Sequence, residues 1–321
     1  IKLLGKLGVA FKPTEMSFSV CDPHSRTEYN GNNLNSLFAQ RSNLLSPAFW
    51  GMLRDILRFN KQALVDLQTQ RIAADTTLGA YLKAEGYGRR FTEHYIVPMG
   101  AAIWSMSLAD MLAFPLQFFV RFFKNHGLLS VSNRPQWCVI EGGSSRYIEP
   151  LTAPFRDRIR LACPVTRVER DKEGVTIHSA QGSERFDKVV FACHSDQALA
   201  MLAEPSANEL EILGALPYAD NDVVLHSDTR LLPSRPLAWA SWNYLSDRRG
   251  EHDLSVTYWM NALQRLPTKT DYFVTLNPAT PIAEETVVAS FDYEHPVFDA
   301  AAFAGQRDIW ALQGRNHVWF C

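Results

Sequence analysis

Apolar positions in this chain follow two rhythms. Between residues 46 and 126 they recur every three or four residues, as on one face of a helix. Before and after, they alternate with polar ones, as in half-buried strands. Ser46 and Pro47 pair a helix-capping side chain with a first-turn proline. Phe49, Leu53, Ile56, Leu57, Leu64 and Leu67 then predict a helix to about residue 70. A second helix is expected from Asp75 or Thr76 through Leu78, Tyr81 and Leu82 to Gly86. A third is expected from Gly88 toward Pro98, where the proline should break or kink it. Residues 99–126 read as helical pieces divided by Pro115 and closed by Gly127. Ile1, Leu3, Leu4 and Leu7 mark a helix tail stopped by Gly8, and residues 16–20 and 26–30 alternate around Asp22 and Pro23 as a hairpin.

The second half opens with residues 137–194: a strand, the pair Gly142 and Gly143 before a helix at 147–155, and a three-strand meander from Val165. The continuous apolar run at 188–192 then reads as a buried parallel strand. Residues 207–213 are helical. Five β signals follow at 222–227, 238–244, 255–261, 272–276 and 286–293, spaced as in a mostly antiparallel sheet. Short helical turns at 298–305 and 309–312 lead to a last strand at 318–321. The order is β, α, a nucleotide-type unit, β, and a closing parallel-type strand. It predicts a mixed α/β (α+β) fold with two interleaved domains.

Composition narrows the function. The 321 residues suffice for two domains with substantial cores, 46% being hydrophobic and 12% aromatic. Lys plus Arg number 32 against 34 Asp plus Glu, a balance that argues against nucleic acid as a partner. Cys21, Cys138, Cys163, Cys193 and Cys321 form no CxxC pair and read as reduced thiols of a cytoplasmic protein. There is no signal peptide and no apolar run of bilayer length. Residues 111–123, the most apolar stretch, contain Pro115, Gln117 and Arg121. They read as a core segment in preference to a lip touching the membrane periphery. The chain starts at Ile1 rather than Met and stops in a strand-like run, so it is expected to be a fragment.

Candidate chemistry is sparse. Gly142, Gly143 and Ser144 could let a backbone approach an anion, or could form a tight turn only. Ala192 and Cys193, small residues at a strand end, suit close ligand approach or tight packing. Cys193, His194, Ser195 and Asp196 are contiguous, point different ways, and cannot assemble a triad. No metal is expected, because Cys21 with His24 lacks a second ligand pair at zinc spacing. Trp242 and Tyr244 share one strand face, with Tyr258 on a neighbouring strand. They read as sheet core, one face of which could wall a substrate pocket.

Several stretches resemble the flavin-containing amine oxidase superfamily, in particular bacterial FAD-dependent amine oxidoreductases. They are residues 95–105 (YIVPMGAAIWS), 125–129 (NHGLL), 137–147 (WCVIEGGSSRY), 238–244 (AWASWNY), 256–261 (VTYWMN) and 295–298 (HPVF), so the likeness spans nearly the whole chain. The resemblance implies an FAD-dependent oxidoreductase that moves hydride between a small-molecule or lipid acyl or amine substrate and flavin N5. It implies that Val165 holds the adenine edge, that Ala192 and Cys193 lie near the dinucleotide, and that Gly142, Gly143 and Ser144 lie near the flavin or substrate. On this basis residues 1–44, 45–130 and 205–300 are expected to form the substrate domain. Residues 131–204 and 301–321 would form a partial Rossmann-like FAD domain. The sequence departs from the family in lacking the GxGxxG fingerprint, so the chain alone is expected to bind FAD poorly. It also lacks a lysine at 219–224, where monoamine oxidases place one near the flavin. Asn221 and Asp222 become the candidate polar groups there. A non-catalytic degenerate flavoprotein that binds a ligand or protein, and a non-redox flavin isomerase, are the alternatives; oligomeric state stays open.

Overall fold

The computed structural model describes residues 1–131, 135–246 and 255–321. The chain forms two compact units. The larger comprises Ile1–Thr152 and Asp220–His295, the smaller Ala153–Ala219 and Pro296–Cys321.

In the larger unit the Pro47–Gln68 helix starts where its sequence signal stands: the Ser46 hydroxyl accepts from Phe49 N, with Pro47 in the first turn. Phe49, Met52, Ile56, Phe59 and Ala63 form its buried face, at spacings of three and four residues. Leu78–Ala84 is capped by Thr77, and Leu108–Ala113 by Ser107. Leu116–Asn125 buries Leu116, Phe119, Val120 and Phe123, so the 111–123 stretch is core. Phe119 lies 4.0 Å from Phe123, 5.7 Å from Trp104 and 6.3 Å from Phe59, centroid to centroid, which ties three helices into one aromatic cluster.

The structure corrects the expectation for Pro98. Arg89–Phe91, a π-helical turn at Thr92–Ile96 and Val97–Trp104 run on as one helical path, with Pro98 in the first turn of the last piece. Proline has no N–H for the carbonyl four residues back. That carbonyl, of His94, instead accepts the Tyr29 hydroxyl at 2.6 Å. Burial pushes the Tyr29 phenol pKa well up, which keeps this donor protonated.

The larger unit's sheet has seven strands, in the order Val287–Pro296, Tyr218–His226, Phe273–Leu276, Ser255–Trp259, Trp242–Leu245, Phe18–Asp22 and Thr27–Asn30. The pair Trp242–Leu245 with Phe18–Asp22 is parallel, and the expected hairpin Phe18–Asp22 with Thr27–Asn30 is antiparallel. A buried polar seam crosses the sheet. The Ser19 hydroxyl donates to Asn243 Oδ1 at 2.9 Å, and Asn243 Nδ2 donates to the carbonyls of Ala240 at 2.6 Å and Thr257 at 3.0 Å. The Thr257 and Thr275 hydroxyls lie 2.9 Å apart. His226 Nδ1 accepts the Asp228 N–H at 3.0 Å, so Nε2 carries the proton and donates to Thr275 Oγ1 at 2.7 Å. Ser19, Asn243, Thr257, Thr275 and His226 are all buried. Each is satisfied, as buried polar groups must be, and together they specify the register.

The smaller unit holds the expected meander, Val165–Arg170, Val175–Ser179 and Gly182–Phe186, antiparallel throughout. Gly174 turns it at φ +156°, where a Cβ would stand 2.5 Å from the Phe186 carbonyl oxygen. Val189–Phe191 pairs in parallel with Val318–Phe320. Val168, Val175, Phe191, Leu213 and Val318 share one core with the helices Ser195–Met201 and Ala207–Gly214. The run at 188–192 is not buried on both faces as expected: Val189 and Phe191 pack on the core, and Val190, on the opposite face of the two-stranded sheet, is 61% exposed. Arg170 clamps Glu209 at 2.5 and 3.1 Å, and Glu209 also closes a capping box with Ser206. Burial would raise the Glu209 pKa, but these donors outweigh it and hold the carboxyl below its ordinary range.

Candidate active site

A cavity of about 200 Å³ lies in the larger unit. Met16, Ser17 and Phe18 reach it from the sheet, with Tyr29 and Gly31 from the next strand and Trp242 from the parallel partner directly opposite Phe18. Tyr95, Met99 and Ile103, each four residues apart, present one helical face to it. Phe122, His126, Leu128 and Trp137 complete the lining.

No charged carboxylate, lysine or arginine is among these residues, and the polar groups are mostly committed. Tyr29 donates to the His94 carbonyl. Ser17 Oγ lies 2.9 Å from Glu15 Oε1. His126 Nδ1 lies 2.8 Å from the Phe122 carbonyl, which can only accept, so that nitrogen carries the proton; its ring stacks on Phe122 at 3.9 Å. Trp242 Nε1 is buried and has no hydrogen-bond partner. Tyr258, opposite Trp242 in the register, packs edge-on against it at 4.8 Å, and burial pushes its phenol up to about 12.

The residues singled out from sequence fall in separate places. Trp242 lines the cavity; Tyr258 backs it; Tyr244, two residues along, is buried and outside the lining. Asn221 Oδ1 accepts from Asn277 Nδ2 at 3.0 Å, and the Asp222 backbone exchanges bonds with Asn277 at 2.8 and 3.0 Å. Both therefore serve the pairing of two strands. Gly142 and Gly143 turn at φ +78° and +89° after Cys138–Ile140, and Ser144 begins a single 3-10 turn. The positive φ, which side chains rarely adopt, is what favours glycine at both positions.

Val165, 37% exposed, opens the meander of the smaller unit. Ala192 and Cys193 follow Val189–Phe191 at the carboxyl end of the parallel pair, Ala192 exposed and Cys193 partly buried. Burial raises the Cys193 thiol pKa, which favours the neutral thiol over the thiolate. The Ser195 N–H donates to the Tyr218 hydroxyl at 2.9 Å and so is already committed.

Sequence reading missed most of the cavity. Tyr95, Met99, Ile103, His126, Leu128 and Trp137 all lie in stretches that carry the family resemblance, and the four-residue spacing of the first three was the available signal. Among the described residues no cluster of three or more His, Cys, Asp or Glu could hold a metal, and no helix is long and apolar enough to cross a membrane.

A sequence model of flavin containing amine oxidoreductases matches residues 14–247. The chain belongs to that family. No curated protein matches it in sequence. Among solved structures, a fatty acid isomerase from P. acnes is 12% identical at a TM-score of 0.63, over 100% of this chain and 78% of that one. Wild-type putrescine oxidase bound to putrescine is 12% identical at 0.64, over 99% and 78%. Cyclohexylamine oxidase from Brevibacterium oxydans is 14% identical at 0.63, over 100% and 78%. These likenesses establish the fold. Membership in a flavin-containing family makes FAD the cofactor of this oxidoreductase.

Proposed function

We propose that this flavin-family oxidoreductase acts on a neutral, slender apolar substrate of the lipid acyl class, and that the cavity of the larger unit receives it. The observation that carries the reading is a lining rich in aromatic rings and methionine, with no carboxylate among its described residues. Burying an unpaired ammonium costs several kcal/mol. A cation–π contact with Trp137 or Trp242 returns at most about 2 kcal/mol, so an amine cation is disfavoured. Trp242 Nε1 is buried and has no hydrogen-bond partner among the described residues, so a small rotation of its ring would offer an acyl carbonyl a donor. The volume of about 200 Å³ lies below the usual ~300–1,000 Å³ of a pocket that encloses a whole ligand, so the cavity receives one apolar segment of the substrate.

FAD, when bound, would supply the acceptor for one hydride, that is two electrons with a proton. The chain's residues bind and orient the apolar segment, and the aromatic lining excludes water. Ala192 and Cys193, at the open carboxyl end of a parallel pair, fit the approach of a dinucleotide, with Val165 at its adenine edge. The phosphate-binding GxGxxG fingerprint does not occur in these 321 residues, so this fit covers one end of the cofactor. The five cysteines are all unpaired, which supports a cytoplasmic site of action.

The test is anaerobic mixing of FAD-loaded protein with a monounsaturated fatty acyl thioester or with putrescine. Bleaching of oxidised flavin absorbance by the acyl compound and not by the amine is expected. Bleaching by the amine alone would overturn the acyl assignment. Acyl product formed with no net flavin reduction would assign an isomerase, and acyl binding without product a binding module.

A further inference from the structure

We propose that the exposed face of the Pro47–Gln68 helix docks the protein on an anionic lipid bilayer. This does not depend on the substrate assigned above.

The helix buries one apolar face in the core, yet its opposite face is not polar. Trp50, Leu57 and Val65 are 50%, 57% and 45% exposed, at steps of seven and eight residues, so they form a second apolar stripe on the solvent side. Arg54 and Lys61 sit between them on the same stripe, both exposed. The turn before the helix adds Leu45 at 89% exposure. It is held beside the stripe by the bond from Trp50 Nε1 to the Leu44 carbonyl at 2.9 Å.

Charge selects the occupant. The helix has only two acids, Asp55 and Asp66, and both are buried on the other side, at 5% and 2% exposure. Among the described residues, Arg54 and Lys61 have no carboxylate within ion-pair distance. Arg90 lies across the adjoining cleft of about 690 Å³ that Arg54 also lines, and it bonds only hydroxyls: Thr27 Oγ1 at 2.6 Å and Ser46 Oγ at 3.4 Å. That cleft also holds Asp22, Asp55 and Glu93, which pair with His94, Arg58 and Arg89. In a chain with a net charge of −2, the exposed stripe itself thus carries two unpaired cations, Arg54 and Lys61, and no acid. Exposed tryptophan and leucine interleaved with arginine and lysine is the pattern of a helix lying in a membrane interface. The rings and aliphatic chains enter the acyl boundary, while the cations meet lipid phosphates. A protein partner of ordinary composition would need to supply acids matched to those two positions; an anionic bilayer supplies them anywhere.

The test is co-sedimentation of the purified protein with vesicles of phosphatidylcholine alone and of phosphatidylcholine mixed with phosphatidylglycerol, at low and high salt. Binding to the mixed vesicles should exceed binding to the neutral ones by at least about tenfold and weaken with salt. It should fall by a similar factor in the double variants Trp50→Ser with Leu57→Ser and Arg54→Glu with Lys61→Glu. The charge variant should leave the thermal transition unmoved, whereas Trp50→Ser gives up the bond to Leu44 and the contact with Phe38 and should lower it somewhat. Circular dichroism checks that each variant is folded at the assay temperature. No binding to mixed vesicles, or binding that neither double variant reduces, overturns the proposal. So does a dimer seen by sedimentation velocity that the Trp50 and Leu57 changes dissociate, since the face would then join two copies.

Discussion

The two faces of the central sheet differ in an instructive way. On one, Phe18, Trp242 and Tyr258 are cross-strand neighbours, and Phe18 and Trp242 open onto the cavity. On the other, one residue along, Ser19, Asn243 and Thr257 are cross-strand neighbours and are buried. The polar face is closed and the apolar face is open, the reverse of a sheet with one wet side. In the seam almost every donor meets an acceptor within the sheet, so nothing is left for a ligand. The cavity face has few polar groups, and one of them, Trp242 Nε1, is left unbonded. Register is set by hydrogen bonds on one face; room for a substrate is shaped by rings on the other.

The largest effect should come from breaking the seam. Asn243→Leu takes the side-chain partner from the Ser19 hydroxyl and from the Ala240 N–H and carbonyl. It should cost about 3 kcal/mol in urea unfolding. A loss under about 0.5 kcal/mol would mean that water or repacking satisfies those groups and that the seam does not set the register.

Changing the cavity face should touch binding more than folding. Trp242→Phe keeps an aromatic ring against Tyr258 and removes the unpartnered N–H. Stability should move by less than about 1 kcal/mol, while affinity for the acyl thioester drops about tenfold, the worth of one hydrogen bond. Unchanged affinity by flavin-detected titration would detach Trp242 from the ligand oxygen.

The smallest effect is pH-dependent. Burial holds the His226 imidazole below its ordinary pKa of 6.5, against the pull of Asp228. The unfolded chain therefore takes up this proton before the folded one. The contribution of a neutral His226 is full above pH 6.5 and drains as pH falls toward the folded value. Unfolding free energy should decline over that range in the native protein and less in His226→Gln. Identical slopes would show that the seam is insensitive to its histidine's charge.

Much of the element order was legible because its causes are local. Ser46 and Pro47 start a helix by capping one amide and needing none, and period-two alternation marks the seven sheet strands whatever they pair with. Family membership was legible too, through stretches such as residues 95–105 and 238–244. The cavity was not. Its lining comes from segments near residues 16, 30, 95–103, 122–128, 137 and 242, and each reads by itself as ordinary core.

What the sequence determined by itself was where helices and strands begin, which positions on each are apolar, and which family the chain joins. Those depend on hydrogen bonds and periodicities spanning a few residues. The tertiary structure decided which apolar face closes and which stays open. Pro98 shows why: its missing N–H predicts a break, yet the freed His94 carbonyl is bonded by Tyr29, a residue 65 positions earlier. Whether a buried group is satisfied depends on what the fold brings beside it, and no local pattern records that.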